Sequence, residues 1–166
     1  MMKRITLLLS LLIYSALSLA DTVNIHVSGY VTAIPCEIEK KDYLIDFKKI
    51  NTWNIRDDNA SPWIDFSVKL KNCPINTNEA IMIINGTSDP TNSDYFINTG
   101  TSQNAALNLA NTLDKSTIKN GTKITFPIDS INRSVEIPLS ARVKGYGSGM
   151  IPGTFKSHVE FTLLYH

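Results

Sequence analysis

Two cysteines are the residues of this chain that are best suited to covalent chemistry. Cys36 and Cys73 can form a disulfide bond, stay as buried thiols or bind a metal ion. The three histidines, His26, His158 and His166, have no metal-ligand spacing with each other or with the cysteines, which argues against a metal site. The choice between a disulfide and free thiols depends on the compartment in which the protein folds.

No other group of residues has the spacing of an active site. The sequence contains no Gly-x-Ser-x-Gly, His-Glu-x-x-His, P-loop or catalytic-cysteine pattern. The glycine-rich run 145–149 lacks the Lys and the helix that follow a phosphate-binding loop, so it indicates a flexible hairpin. Asp57 and Asp58 precede Asn59, which is typical of a solvated turn. The sequence therefore predicts neither catalysis nor a cofactor.

The N-terminus predicts export. Residues 1–20 have the three parts of a secretory signal peptide: a basic start, an apolar run and small residues before a cleavage site. These parts are Lys3 and Arg4, the run 5–13, and Ser18 and Ala20. The alternative is a membrane anchor, but the run is short against the ~20 residues that a span needs. Export makes the Cys36–Cys73 disulfide the default expectation, because the compartment is oxidising.

The composition is that of one ordinary globular domain. The chain has 166 residues, 43% of them hydrophobic, with 16 Lys and Arg against 15 Asp and Glu. This near-neutral balance argues against a nucleic-acid partner, which would require a basic excess. No apolar stretch after residue 20 is long enough to span a bilayer, so residues 21–166 are predicted to be soluble or exported.

Hydrophobic residues follow a period of two through most of this mature chain, which is typical of half-buried β-strands. The clearest cases are 23–31, 63–73 and 155–165, and shorter candidates are 43–50, 79–85, 105–113, 122–128 and 135–143. Turn-forming clusters separate these strands, and no segment has the pattern of a capped amphipathic helix. Seven or eight short strands predict an all-β, immunoglobulin-like sandwich.

The two ends of the mature chain raise a question about where their strands belong. Residues 21–31 form a strand pattern ahead of the first cysteine, and the last strand pattern stops one residue before the end. Both can be ordinary strands of one closed sandwich. Alternatively, one of them completes another molecule, because an uncovered apolar strand in an exported protein is an aggregation hazard.

The order and spacing of several short motifs resemble those of the pilins of the chaperone–usher family. The similarity extends over essentially the whole mature chain and is greatest to the minor tip subunits of type 1 fimbriae. The motifs are the leader 23–31, Pro35-Cys36, 70–74, 100–104, and the ending with Gly153 and the penultimate Tyr165.

The resemblance implies an incomplete immunoglobulin-like sandwich, which lacks its last strand and is completed by a donor strand from another chain. Residues 21–31 are then the donor extension, and 32–166 are the pilin domain with its apolar acceptor groove. The implied donor residues are Val23, Ile25, Val27, Gly29 and Val31. The implied acceptor and chaperone-binding edge is Gly153, Phe155, Val159, Phe161, Leu163 and Tyr165.

The resemblance also implies the partners and the location. They are other fimbrial subunits, a periplasmic chaperone and an outer-membrane usher, on a route through the periplasm to a fimbria on the cell surface. A minor tip adaptor is the favoured role, and a major rod subunit is the first alternative. A sugar-binding adhesin would need a separate lectin domain, and the chaperone itself would need about twice the length.

Overall fold

The computed structural model of the protein describes residues 25–29 and 35–166. They belong to two units, Met1–Thr32 and Ala33–His166, which are described separately. In the first unit, residues 25–29 have exposed side chains and no regular secondary structure. The predicted signal peptide 1–20 and the predicted donor residues Val23 and Val31 lie outside the described residues. Within the described part of the chain, no helix has the length and apolar character needed to cross a membrane.

The second unit is a β-sandwich of two antiparallel sheets, as the alternation predicted. One sheet has the strand order β1 (Glu37–Ile38), β2 (Ile64–Lys71), β7 (Val135–Gly145), β4 (Ala105–Asn111) and β5 (Thr117–Ile118). The other sheet has the order β6 (Lys123–Pro127), β3 (Glu79–Gly86) and β8 (Val159–Tyr165). One short helix, α1 (Thr52–Ile55), begins after Asn51, whose side chain accepts a hydrogen bond from the Trp53 amide.

Alternating apolar residues place the core between the two sheets. Because successive side chains of a strand point to opposite faces, every second residue of β7 and β3 is directed inward. These inward side chains are fully or almost fully buried, as in Ile137, Leu139, Val143, Met82 and Ile84. Phe96, which precedes β4 and pairs with Leu107, is also fully buried.

The predicted disulfide is confirmed. Cys36 and Cys73 are bonded and both are buried, so the described part of the chain has no free cysteine. The bond joins Cys36, which directly precedes β1, to Cys73, which lies two residues after the end of β2. It therefore ties the start of the second unit to the end of β2.

The structure differs from the sequence predictions in three places. Segment 43–50 was predicted to be a strand, but it pairs with no other described strand. The last strand begins at Val159, later than the alternation from Phe155 predicted. The two-residue strands β1 and β5 and the helix α1 were not predicted, because each is too short to show a period.

Candidate strand-acceptor groove

An open apolar groove of about 1400 Å³ runs along one side of the sandwich. One wall is β8, and the other is the extended segment 40–50. Its floor consists of inward-facing side chains of the five-stranded sheet, namely Phe66, Val68, Leu107, Leu109, Ala141 and Val143. The groove is therefore a gap in the hydrophobic core, and not a separate cavity.

The β8 wall has an apolar row that the chain only half covers. Val159, Phe161, Leu163 and Tyr165 are all half-buried, whereas Glu160, Thr162 and Leu164 between them are exposed. On the neighbouring strand β3, the directly paired residues Ala80, Met82 and Ile84 are fully buried. The difference arises because β8 is the outer strand of its sheet, with β3 on one edge and no described strand on the other.

Segment 40–50 forms the opposite wall and has the same alternation. Tyr43, Ile45 and Phe47 are half-buried toward the core, and Leu44 and Asp46 point to solvent. Among the described residues, no backbone group of this segment bonds to another backbone group. The segment thus has the side-chain pattern of a strand without the hydrogen bonds of one, and both walls of the groove offer backbone groups to an additional strand.

Aromatic contacts hold segment 40–50 against the floor of the groove and against Phe155, which precedes β8. The ring centroids of Tyr43 and Phe66 are 6.0 Å apart, and those of Phe47 and Phe155 are 5.9 Å apart in an edge-to-face arrangement. These contacts place the segment at one side of the groove while its backbone stays unpaired.

Two glycines determine where β8 starts. A Cβ atom on Gly100 would collide with the Thr154 carbonyl, and one on Gly153 would collide with the Ser102 amide nitrogen. Only glycine therefore allows the two segments to approach so closely. In this close approach, the Ser102 amide donates to the Thr154 carbonyl at 3.0 Å and the Thr99 amide donates to the Lys156 carbonyl at 2.7 Å. Residues 154–156 are bonded to 99–102, which is why the strand begins only at Val159.

Charged side chains lie at the rim of the groove and not in its floor. Lys40, Lys41, Lys48 and Lys156 are among the groove residues. The Lys48 ammonium lies 2.8 Å from the Asp46 carboxylate, and this hydrogen bond lowers the pKa of Asp46 below its usual value. Beyond the end of the groove, burial raises the pKa of the Tyr165 hydroxyl above its usual value. The groove suits an apolar ligand with polar flanks.

All six residues predicted for the acceptor edge line this groove or pack against its core. Gly153, Phe155, Val159, Phe161 and Leu163 are lining residues, and Tyr165 belongs to the same inward row. Sequence reasoning did not assign Tyr43, Ile45 and Phe47 to this site, although their alternation was visible in the candidate strand 43–50. Of the predicted donor residues, Ile25 and Val27 are 81% and 90% exposed. A Cβ on Gly29 would have nothing within 4 Å.

Two curated proteins of Escherichia coli strain K12 are similar to the chain over most of its length. A fimbrial-like protein named YdeR is 31% identical over 156 residues, which are 93% of this chain and 92% of that protein. The protein FimG is 30% identical over 152 residues, which are 91% of this chain and 89% of that protein. These identities and coverages decide the family. The chain belongs to the chaperone–usher pilins.

Solved structures agree with this assignment at the level of the fold. The P pilus rod subunit PapA superposes with a TM-score of 0.69 and 19% identity, covering 80% of this chain and all of that chain. This superposition, together with the two relatives, shows that the chain has the incomplete immunoglobulin-like pilin fold. No family model matches the sequence. This pilin is a structural subunit of a surface fimbria that interacts with other subunits, and it is not an enzyme.

Proposed function

We propose that this pilin is a minor tip adaptor, which is assembled by donor-strand exchange through a periplasmic chaperone and an outer-membrane usher. The observation that carries the proposal is the half-buried inward row of β8 beside an edge with no described partner strand. In this account residues 21–31 form the donor extension and 32–166 form the domain that accepts a strand. The signal peptide 1–20 directs the chain to the periplasm.

The energy of an inserted strand supports the proposal. Seven half-buried side chains line the groove or continue the inward row of β8: Tyr43, Ile45, Phe47, Val159, Phe161, Leu163 and Tyr165. Complete burial of an apolar side chain contributes ~1.5–3 kcal/mol, so covering the remaining half of these seven contributes roughly 5–10 kcal/mol. This gain is comparable to the whole stability of an ordinary domain, which is about 5–15 kcal/mol. The domain without a donor strand is thus expected to be marginally stable and to need a chaperone.

The leader has the properties of a donor strand. Val23, Ile25, Val27 and Val31 lie in one lane of the sequence pattern, and Gly29 in that lane is expected to sit where the receiving groove is too shallow for a side chain. The exposure of Ile25 and Val27 supports this role, because an exposed apolar lane is available to a neighbour. The chaperone fills the groove first, and the leader of the next subunit then replaces it at the usher.

The similarity to FimG and to the minor tip subunits of type 1 fimbriae supports the adaptor role over the rod role. A rod subunit polymerises with itself, so its leader must fit its own groove. An adaptor joins two different subunits, so its groove must prefer the leader of another subunit. An adhesin is the less favoured candidate, because residues 23–31 have the strand pattern of a donor extension.

A peptide-exchange experiment distinguishes these roles. The mature chain 21–166 is purified with its chaperone and incubated separately with a peptide of its own residues 21–31 and with leader peptides of the other subunits from its fimbrial gene cluster. Chaperone release and the melting temperature of the product are measured. An adaptor is stabilised by a foreign leader more than by its own, and a rod subunit shows the reverse. A mature chain that is a stable monomer without any peptide would contradict the proposal.

The donor role is tested with a matched pair of substitutions in the leader. Ile25→Asp places a charge in the lane that enters a closed core, where an unpaired charge costs several kcal/mol. His26→Asp places the same charge in the opposite lane. Ile25→Asp should leave the chaperone complex intact but remove the subunit from sheared fimbriae, and His26→Asp should have little effect. Normal incorporation of Ile25→Asp would exclude residues 21–31 as the donor strand.

A further inference from the structure

Ser157 interrupts the apolar row that lines the groove on the side of β8. Its neighbours in this row are Phe155 and Val159, and all three are half-buried groove residues. The Ser157 hydroxyl is out of contact with solvent and has no hydrogen-bond partner among the described residues. Buried polar groups are normally paired, because leaving one unpaired is costly. In a groove that is still to be filled, we expect the missing partner to come from the strand that fills it.

Hydrogen bonds on one side of the segment before β8 show which way its backbone faces. The Thr154 carbonyl accepts from the Ser102 amide at 3.0 Å, and the Lys156 carbonyl accepts from the Thr99 amide at 2.7 Å. The same side is used at the other end of β8. There the His166 amide donates to the carbonyl of Glu79 in β3 at 3.1 Å, and the Glu79 amide donates to the His166 carbonyl at 3.0 Å. Even-numbered residues therefore direct their backbone groups toward β3 and the segment before β4.

The odd-numbered residues direct theirs to the open edge. Inward and outward side chains alternate without a break from position 154 to position 166. In such an extended chain, the N–H and C=O groups of successive residues point alternately to the two sides. Among the described residues, neither Phe155 nor Ser157 has a backbone hydrogen bond. The open edge thus begins at Phe155, before β8 itself.

The opposite wall of the groove comes close at the same level. The ring of Phe47 packs edge-to-face on that of Phe155, with centroids 5.9 Å apart. Phe155 therefore marks the end of the groove at which the two walls meet. A strand that pairs along the open edge from Tyr165 to Phe155 passes directly beside Ser157.

We propose that Ser157 is a specificity-determining residue of the acceptor groove, which favours a donor strand with a hydrogen-bonding side chain, such as that of Ser or Thr, directly opposite it. This inference rests on the proposed donor-strand function and adds a sequence requirement to it. The apolar residues of the groove suit any strand with an alternating apolar pattern. Ser157 distinguishes among such strands.

The geometry of paired strands explains the preference. Residues that lie directly opposite each other have Cβ atoms about 4.5–5.5 Å apart, so their side chains touch. The Ser157 hydroxyl turns about a single side-chain torsion and both donates and accepts. An opposing Thr therefore pairs with it, whereas an opposing Val closes the groove over it and leaves it unpaired. The wrong donor strand is disfavoured by the polar group that it leaves without a partner.

A double-mutant cycle between the domain and the donor strand tests this preference. The mature chain 21–166, as wild type and as Ser157→Ala, is exchanged from its chaperone onto the leader peptide of its fimbrial gene cluster that stabilises it most. Thr or Val, which have nearly the same shape, replaces each inward residue of the peptide in turn. Urea unfolding gives the equilibrium constant of each complex. At one inward position, the ratio of the Thr and Val constants should shift by about tenfold toward Thr when residue 157 is Ser instead of Ala.

Val159→Ala is the matched control, because it shortens the next side chain of the same row without touching the hydroxyl. At the position that couples to Ser157, it should change the Thr and Val constants by the same factor. Absence of coupling at every inward position would overturn the role of Ser157 and leave the donor-strand function intact. Failure of every leader peptide to stabilise the wild-type domain would contradict the donor-strand function, and the inference would fall with it.

Amide hydrogen exchange, followed residue by residue with NMR, tests whether the donor strand reaches Ser157. The Phe155 and Ser157 amides should gain at least about tenfold protection when the leader peptide binds, because they face the open edge. The Lys156 amide is the internal control and should change little, because it already donates to the Asn98 side-chain oxygen at 2.9 Å. Protection gained only from Val159 onward would place the donor strand out of reach of Ser157. That result would overturn the inference and leave the donor-strand function standing.

Discussion

The inner strands β3 and β7 belong to a finished part of this pilin, and the outer strand β8 belongs to an unfinished one. Inward side chains of β3 and β7, such as Met82, Ile137 and Leu139, are fully buried by strands of the same chain. The inward row of β8 has the same alternation and a full partner in β3, yet it is only half-buried. The comparison shows that the alternation of apolar and polar residues identifies which face of a strand is apolar. It does not report whether the same molecule covers that face.

The open region depends on a covalent bond to the closed one, and breaking this bond should have the largest effect. The Cys36–Cys73 disulfide ties the start of the groove-lining segment to the end of β2. On the chain-entropy model, Cys73→Ser lowers the free energy of unfolding by about 4 kcal/mol. Periplasmic yield of the chaperone complex should fall sharply. The double variant Cys36→Ser, Cys73→Ser should lose no more than the single one, and additive losses would contradict this account.

A cavity in the closed region should cause the next largest loss of stability. This loss should not depend on a donor strand. Leu139 is fully buried on β7, so Leu139→Ala should cost about 2–5 kcal/mol. Urea unfolding of the domain, with and without a bound leader peptide, measures this cost. The loss should be the same in both states, because the Leu139 site is already complete. A loss seen only with peptide would mean that the core on this side is also unfinished.

A cavity in the open region should behave differently. Phe161 is half-buried in the groove wall, so Phe161→Ala should cost less than Leu139→Ala in the peptide-free domain. In the peptide-bound domain its cost should rise toward the ~3–5 kcal/mol of a buried Phe. The same urea experiment compares the two states. An equal cost for Phe161→Ala in both states would show that no strand packs on this row.

The smallest expected effect is a pH-dependent change in stability. It involves Asp65, on the outer face of the five-stranded sheet. The Ser140 hydroxyl donates to the Asp65 carboxylate at 2.6 Å and the Lys115 ammonium lies 2.9 Å from it; both lower the pKa of Asp65. A lowered carboxyl pKa contributes stability above the unfolded pKa of about 3.9, and this is lost as pH falls through the folded pKa. Asp65→Asn should reduce the urea midpoint slightly at pH 7 and by less at pH 2.5. An equal reduction at both pH values would contradict this assignment.

Much of the closed region could be predicted from the sequence, because its strands are long enough to show a period. β2, β3, β4, β6 and β7 lie within two residues of the predicted bounds. The Cys36–Cys73 bond followed from the predicted export and the presence of a single pair of cysteines. The short elements β1, β5 and α1 were missed, because two to four residues contain no complete pattern.

The open region was predicted less well, for physical reasons specific to it. Segment 43–50 has the side chains of a strand, but its backbone has no described partner, so it was predicted as a strand and is not one. The start of β8 was placed too early, because Gly100 and Gly153 let segment 99–102 take the hydrogen bonds of 154–156. The acceptor residues came from resemblance to the pilins, since alternation alone was also compatible with a closed sandwich.

Amide hydrogen exchange tests most directly whether the groove between β8 and segment 40–50 accepts a strand from another chain. The domain is compared with and without a bound leader peptide, with β7 as the internal reference for the closed region. Protection of amides in segment 40–50 and in the outer edge of β8 should rise at least about a hundredfold with peptide, relative to any change in β7, because these groups gain strand partners. Unchanged protection in both walls, with the peptide bound, would contradict the account.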